Sequence, residues 1–313
     1  MAYDVITMGR VGVDMYPLQV GVGLEDVETF TKHLGGSPTN VAVATARYGR
    51  STAVISRTGP DPFGRFVHAA LREYGVDDRF VTEVPGLKTP VTFCEIFPPD
   101  HFPIHFYRFP HSPDLEIHDD ELDLAEIRQA RAFWATVTGL SREPSRHATL
   151  AALRARSRQE ITILDLDYRA QFWSSPENAT RWVGETLKHV TIAIGTVDEC
   201  EIAVGEREPA RAAKALLARG VELAVVKLGA VGLFAAHTAG TIEVPALKVD
   251  VVNALGTGDA FGGALCHGLL AGWDTPRALR FAAAAGAYVA ARRECSGAMP
   301  TAAEVTRLLE ANR

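Results

Sequence analysis

The residues best suited to chemistry lie between Val249 and Gly263, in the run V-D-V-V-N-A-L-G-T-G-D-A-F-G-G. Gly256, Thr257 and Gly258 can bare their backbone N–H groups. The small, helix-compatible run Ala260–Leu270 places those groups at a helix N-terminus, where anions bind. Asp259 stands directly beside this turn, a carboxylate where an anion is expected. It either stabilises the helix dipole or accepts a proton in a reaction carried out at the turn.

Other residues could serve the same chemistry. Lys227 is the only cation in a long apolar stretch and needs an anionic partner, because desolvating an unpaired ammonium costs several kcal/mol. Asp14 follows the β-rich run Tyr3–Met8 and Gly9, in a turn at the edge of a sheet where ligands bind, or as a local hydrogen-bonder there. Gly35 and Gly36 precede a helix punctuated by Ser37 as N-cap, Pro38 and Gly49, with Asn40 in its first turn. The glycine pair lets backbone approach a ligand or lets helices pack. Asp165, Asp167, Tyr168 and Arg169 cluster at the end of strand Ile161–Leu166, where Arg169 suits a substrate carboxylate or pairs with the neighbouring acids. Thr196 and Glu199 open another helix. His101, His105, His111 and His118 fall among prolines that exclude a helix aligning them as metal ligands, and read as solvent-facing.

The elements that must position these groups alternate. Strands are expected at Tyr3–Met8, Ala53–Thr58, Ala132–Thr138, Ile161–Leu166, Thr191–Gly195 and Leu223–Leu228, with helices between them, and Gly232–Ala236 pairs back as a hairpin. The rhythm breaks at Val27–Leu34 and at the two alternating runs in Pro90–Phe109, which together form a small lid sheet over about 14–34 and 88–110. In Ile104–Phe109, alternation sets Tyr107 and Arg108 on opposite faces. Ala-rich helices over Thr275–Arg292 and Thr301–Asn312 cover one face. With no repeat or low-complexity linker, residues 1–313 read as one α/β domain: a doubly wound, mostly parallel sheet with helices on both faces and a β-sheet lid.

Composition narrows the partners. The chain has 313 residues, 47% hydrophobic and 22% charged, enough to bury a large core. A net charge of −6 without like-charge blocks argues against nucleic acid or an anionic membrane surface. Four scattered cysteines lack a C-x-x-C pair, which suits a reducing cytoplasm, and there is no signal peptide or run of ~18 apolar residues.

The dinucleotide fingerprint fails, since it belongs after the first strand and needs a small residue at Phe261; G-x-x-x-x-G-K-S/T is absent. What remains is a turn that neutralises a transferring phosphoryl group while Asp259 takes a proton from the attacking hydroxyl.

At this point the chain resembles the PfkB/ribokinase carbohydrate kinases over its whole length. Gly35-Gly36-Ser37-Pro38-Thr39-Asn40 is similar to their sugar-binding motif, and Asn253-Ala254-Leu255-Gly256-Thr257-Gly258-Asp259 to their D-T-x-G-A-G-D signature. The resemblance implies a ribokinase-like fold using ATP and Mg²⁺. In it Asp14, Gly35, Gly36 and Asn40 hold sugar hydroxyls, Asp259 is the base, and Gly256, Thr257 and Gly258 form the anion hole. Lys227, Gly229 and Gly232 line the nucleotide side, with Thr196 and Glu199 beside them and Glu199 an indirect metal partner. It also implies a homodimer formed through the lid. Asn253-Ala254 replaces the usual Asp-Thr where, with Arg292–Gly297, a monovalent cation such as K⁺ would bind. D-L-D-Y-R-A-Q-F-W from Asp165 and the pair Tyr107-Arg108 resemble members acting on sugar acids, so Arg108 and Arg169 are the expected carboxylate ligands; neutral hexoses are the alternative. A non-catalytic sugar-acid sensor on the same fold would carry a damaged base or anion hole, and Gly256, Gly258 and Asp259 are all in place.

Overall fold

Nine strands run side by side across the computed structural model, which describes residues 2–159 and 161–312. Their order is Gly240–Pro245, Gly232–His237, Leu223–Lys227, Ile192–Thr196, Ile161–Asp165, Ala132–Thr136, Val5–Met8, Thr52–Thr58 and Val76–Asp77, and Val81–Glu83 also pairs with Thr52–Thr58. Gly232–His237 pairs antiparallel with both of its neighbours, and the remaining pairs are parallel. The central strands are buried along almost their whole length because helices cover both faces. The ribokinase-like doubly wound architecture expected from the sequence is the one observed.

A second sheet of four strands, in the order Phe30–Gly35, Gly12–Pro17, Val91–Cys94 and Ile104–Tyr107, is separate from the first. Asp14 therefore lies within a strand, not in a turn. Gly9, at φ +141°, and Arg10 interrupt the β-prone N-terminal run, so that Val5–Met8 joins the large sheet and Gly12–Pro17 the small one. Asp14 pairs in register with His33 and Thr92. Gly240–Pro245 is an edge strand with no sequence expectation behind it.

Two helices bring the chemical groups together. Helix Thr257–Leu270 packs on helix Ser37–Arg47 through Gly263, where a Cβ would stand 2.4 Å from that of Ala44. Gly262 likewise lies against Trp134, where a Cβ would meet the indole at 2.5 Å. Asp259 is one turn before Gly263 and Asn40 one turn before Ala44, so the close contact carries Asn40 to Asp259. Among the described residues, no helix is long and apolar enough to cross a membrane.

Candidate active site

The cleft lies where parallel strands end. Asp165, Thr196 and Lys227 are the last residues of three adjacent strands, and Arg10 follows a fourth. Chain direction across the sheet changes at Val5–Met8, which pairs with Thr52–Thr58 on one side and Ala132–Thr136 on the other, and such a switch opens a crevice at the carboxyl ends. The cavity is about 490 Å³, within the range of small-molecule sites.

On its floor, Gly256 is the N-cap of helix Thr257–Leu270 with φ +81°. A Cβ there would come within 2.0 Å of Cys295 Sγ, so only glycine lets the turn close. Asp259 occupies the first helical turn. Ser37 Oγ donates to its Oδ1 at 2.7 Å and Asn40 Nδ2 to its Oδ2 at 2.8 Å. Burial raises the Asp259 carboxyl above the ordinary range, and the Asn40 and Ser37 hydrogen bonds draw it partly back. Asn40 Oδ1 is buried and accepts no hydrogen bond from the described residues.

Ser37 is not the N-cap expected of it. Gly36, at φ +101°, takes that position because a Cβ there would strike Arg10 O at 2.4 Å, and Ser37 becomes the first helical residue with its hydroxyl turned to Asp259. Gly35 lies outside the cleft lining and makes room for Asp14, whose Oδ1 would be 2.1 Å from a Cβ. Asp14 lines the cleft, and burial pushes its carboxyl to about 7 against the pull of Arg10.

Across the cleft, Lys227 Nζ lies 3.7 Å from Asp165 Oδ1, the partner its burial required. Burial lowers the affinity of Lys227 for its proton, but Asp165, Glu199, Asp167 and Asp259 outweigh that, and the ammonium stays charged. A Cβ on Gly258 would sit 3.3 Å from Lys227 Nζ, so this cation hangs over the glycine turn. Thr196 and Glu199 form a reciprocal cap: Glu199 Oε2 accepts from Thr196 N at 2.7 Å, and Thr196 Oγ1 from Glu199 N at 3.3 Å. Both line the cleft with Gly229, whereas Gly232 does not. Gly232, at φ +121°, presses on the adjoining strand, where a Cβ would meet Val244 O at 2.1 Å.

The arginines divide. Arg169 lines the cleft and chelates Asp167 through Nε at 2.9 Å and Nη2 at 2.8 Å. Tyr107 and Arg108 do not line it. Ile104 and Phe106 face inward, so Tyr107 points outward, 65% exposed, and Arg108 lies past the strand end, buried and 2.7 Å from Asp114 with Phe172 under its guanidinium. Arg10 lines the cleft in its place, bonded to Asp167 at 3.1 Å. It was not singled out in the sequence, nor were Ser37 as a partner of Asp259 or Cys295.

A family model for "pfkB family carbohydrate kinase" matches residues 3–302. The chain belongs to the pfkB family of carbohydrate kinases. It is 34% identical to the 5-dehydro-2-deoxygluconokinase of Shouchella clausii over 98% of this chain and 96% of that one. Among solved structures it resembles a PfkB protein from a Polaromonas species (28% identity, TM-score 0.83, 97% of this chain and 99% of that one). It also resembles a Vibrio cholerae fructokinase double mutant bound to fructose, ADP and a potassium ion (25% identity, TM-score 0.85, 98% and 99%).

Proposed function

We propose that this pfkB-family kinase transfers the γ-phosphoryl group of ATP to the terminal hydroxyl of a sugar acid, 5-dehydro-2-deoxygluconate, as named for the Shouchella relative. The observation that carries the reading is the pairing at one helix start: a carboxylate held by Ser37 and Asn40 beside the glycine turn, under the Lys227 ammonium. The hydroxyl gives its proton to Asp259, whose raised affinity for protons suits a general base. The N–H groups at Gly256, Thr257 and Gly258 take up the charge on the equatorial oxygens as phosphorus passes to the sugar, and Lys227 neutralises it from the other side. In so loose a transition state, positioning and charge stabilisation supply most of the acceleration.

Asp14 and the uncommitted Oδ1 of Asn40 are the groups for sugar hydroxyls, and Lys227 and Gly229 lie on the ATP side. Glu199 has one carboxylate oxygen tied to Thr196 N and the other available, which fits an indirect hold on magnesium through water. Bound Mg²⁺ would share the phosphate charge. The residues fit K⁺ poorly: Asn253, fully buried, accepts from Leu255 N at 3.0 Å, which turns its amide nitrogen onto Arg293 O at 2.8 Å, so an N–H already occupies that carbonyl.

We read the chain as one domain whose residues 14–34 and 88–110 form a lid, closing over the sugar and limiting ATP hydrolysis by water. The exposed Leu18, Tyr107 and Phe109 support a homodimer through that lid. The setting is a cytoplasmic route of inositol breakdown. An ATP-coupled assay of 5-dehydro-2-deoxygluconate, 2-dehydro-3-deoxygluconate and fructose tests the substrate. The first should give the highest kcat/KM, and a preference for fructose would overturn the reading.

A further inference from the structure

We propose that Arg10, set against Arg169 across Asp167, is the residue that makes the cleft specific for a substrate carboxylate, in the place expected of Arg108. The proposal rests on the sugar-acid reading of the site and adds to it the group that selects the acid.

Arg10 is 8% exposed, lines the cleft, and spends only part of its hydrogen-bonding capacity on the protein. Its Nη2 donates to Asp167 Oδ2 at 3.1 Å. Its Nε–H is buried and reaches no acceptor among the described residues. A guanidinium donor left unpaired in the interior is costly unless a ligand completes it. The plane of the group is fixed by its surroundings: Phe106 and Phe172 lie 5.3 and 5.9 Å from its central carbon, and their rings meet edge to face at 4.9 Å. Stacking of this kind holds a weakly hydrated guanidinium while leaving its in-plane donors free.

The charges point the same way. Asp167 offers one carboxylate to two guanidiniums, Arg10 on Oδ2 and Arg169 on Oδ1, so one positive charge of the trio is unbalanced. The other acids on Arg10's side are Asp14, whose carboxyl is pushed to about 7, and Asp259, which is engaged by Ser37 and Asn40. A planar carboxylate entering the cleft meets the fork geometry that arginine satisfies bidentately and lysine does not. Arg108 is as deeply buried and stacks on the same Phe172, but it lies away from the cleft lining and Asp114 already neutralises it.

The test compares 5-dehydro-2-deoxygluconate with its C1 primary amide, which keeps the reacting hydroxyl and removes the charge. The wild-type enzyme should favour the acid strongly. Arg10→Gln should lower kcat/KM for the acid by about 100-fold, the scale of losing charge-assisted hydrogen bonds, and change the amide by less than about threefold. Arg10→Lys should fall between, and Arg108→Gln should keep the wild-type ratio of acid to amide while melting at a lower temperature. An Arg10→Gln enzyme that retains the wild-type ratio overturns the assignment. If that variant does not fold, the ratio for Arg10→Lys decides in the same sense. A wild-type enzyme indifferent to the charge would instead overturn the sugar-acid reading itself.

Discussion

Asn40 donates its side-chain N–H to Asp259 Oδ2 at 2.8 Å, bridging 219 positions of sequence. The bond fixes one carboxylate oxygen while Ser37 fixes the other, so Asp259 has a set orientation. Asp259→Asn should abolish at least 10³-fold of kcat, as loss of a general base combined with disturbed alignment does, with ATP affinity within about threefold of wild type. Calorimetric ATP titration beside the kinetic assay checks this. Unchanged kcat would remove the base assignment.

Gly256→Ala places a methyl group 2.0 Å from Cys295 Sγ on a backbone with φ +81°. Turnover should drop by about 100-fold or more with a lower melting temperature, because the turn must open to admit the Cβ. Adding Cys295→Ala should restore only part of the loss, since the Cys295 Cβ would still lie 2.9 Å away and the φ strain is untouched. Full recovery in the double variant would show that crowding by sulfur is the whole effect.

The amide of Asn253 predicts indifference to potassium. Replacing K⁺ by tetramethylammonium at constant ionic strength should change kcat/KM by less than about twofold. Asn253→Asp would set a carboxylate against Arg293 O, two acceptors with no donor between them, and activity should then come to depend on K⁺. A strong potassium requirement in the wild-type enzyme would contradict the role given to this side chain.

Asp14 makes stability fall as pH rises. Its carboxyl ionises at about 7 in the folded chain against 3.8 for a free side chain, so between those values the folded state holds the extra proton, and stability present at low pH is lost on approach to 7. Because Asp14 opens onto the cleft, the effect is on the order of 2 kcal/mol, roughly 3 °C for a chain of this size. Asp14→Asn should therefore melt higher than wild type at pH 8 and differ little at pH 4. Asp165, whose carboxyl burial raises against the pull of Lys227, keeps part of the slope in the variant. Equal slopes for the two proteins would remove Asp14 as the cause.

Arg156 is fully buried and meets no carboxylate among the described residues. It donates to Thr162 Oγ1 and to the carbonyls of Ile127, Arg128, Ala130 and Ile161, tying the end of one helix to the start of a strand, and burial brings its pKa down to about 10. Arg156→Met would strand those carbonyls, and urea unfolding should report a loss of about 3 kcal/mol. The acid-to-amide ratio of the folded variant should stay that of wild type.

What could be read beforehand depended on whether a residue's reason lay nearby in sequence. The strands ending at Asp165, Thr196 and Lys227 announce themselves by apolar runs, and Lys227 stands out as a lone cation in one of them. Arg10 carries the same signal, a single cation within Val5–Val13, but Gly9 and Gly12 make the stretch read as a turn. The hydroxyl of Ser37 was legible only as a cap, since its true partner is 222 positions away and the cap passes to Gly36 through a φ that no pattern discloses. Tyr107 and Arg108 were misplaced for a similar reason: Asp114, which captures Arg108, lies beyond the strand in a turn whose path depends on tertiary packing.

Strand Phe30–Gly35 runs through Gly36 directly into helix Ser37–Arg47. The sheet that borders the cleft and the two donors that grip Asp259 are thus opposite arms of a single lever, joined at a residue with no side chain. A rotation at that residue would move the sheet and the grip on Asp259 together, so the wall of the cleft and the aim of the carboxylate are mechanically one.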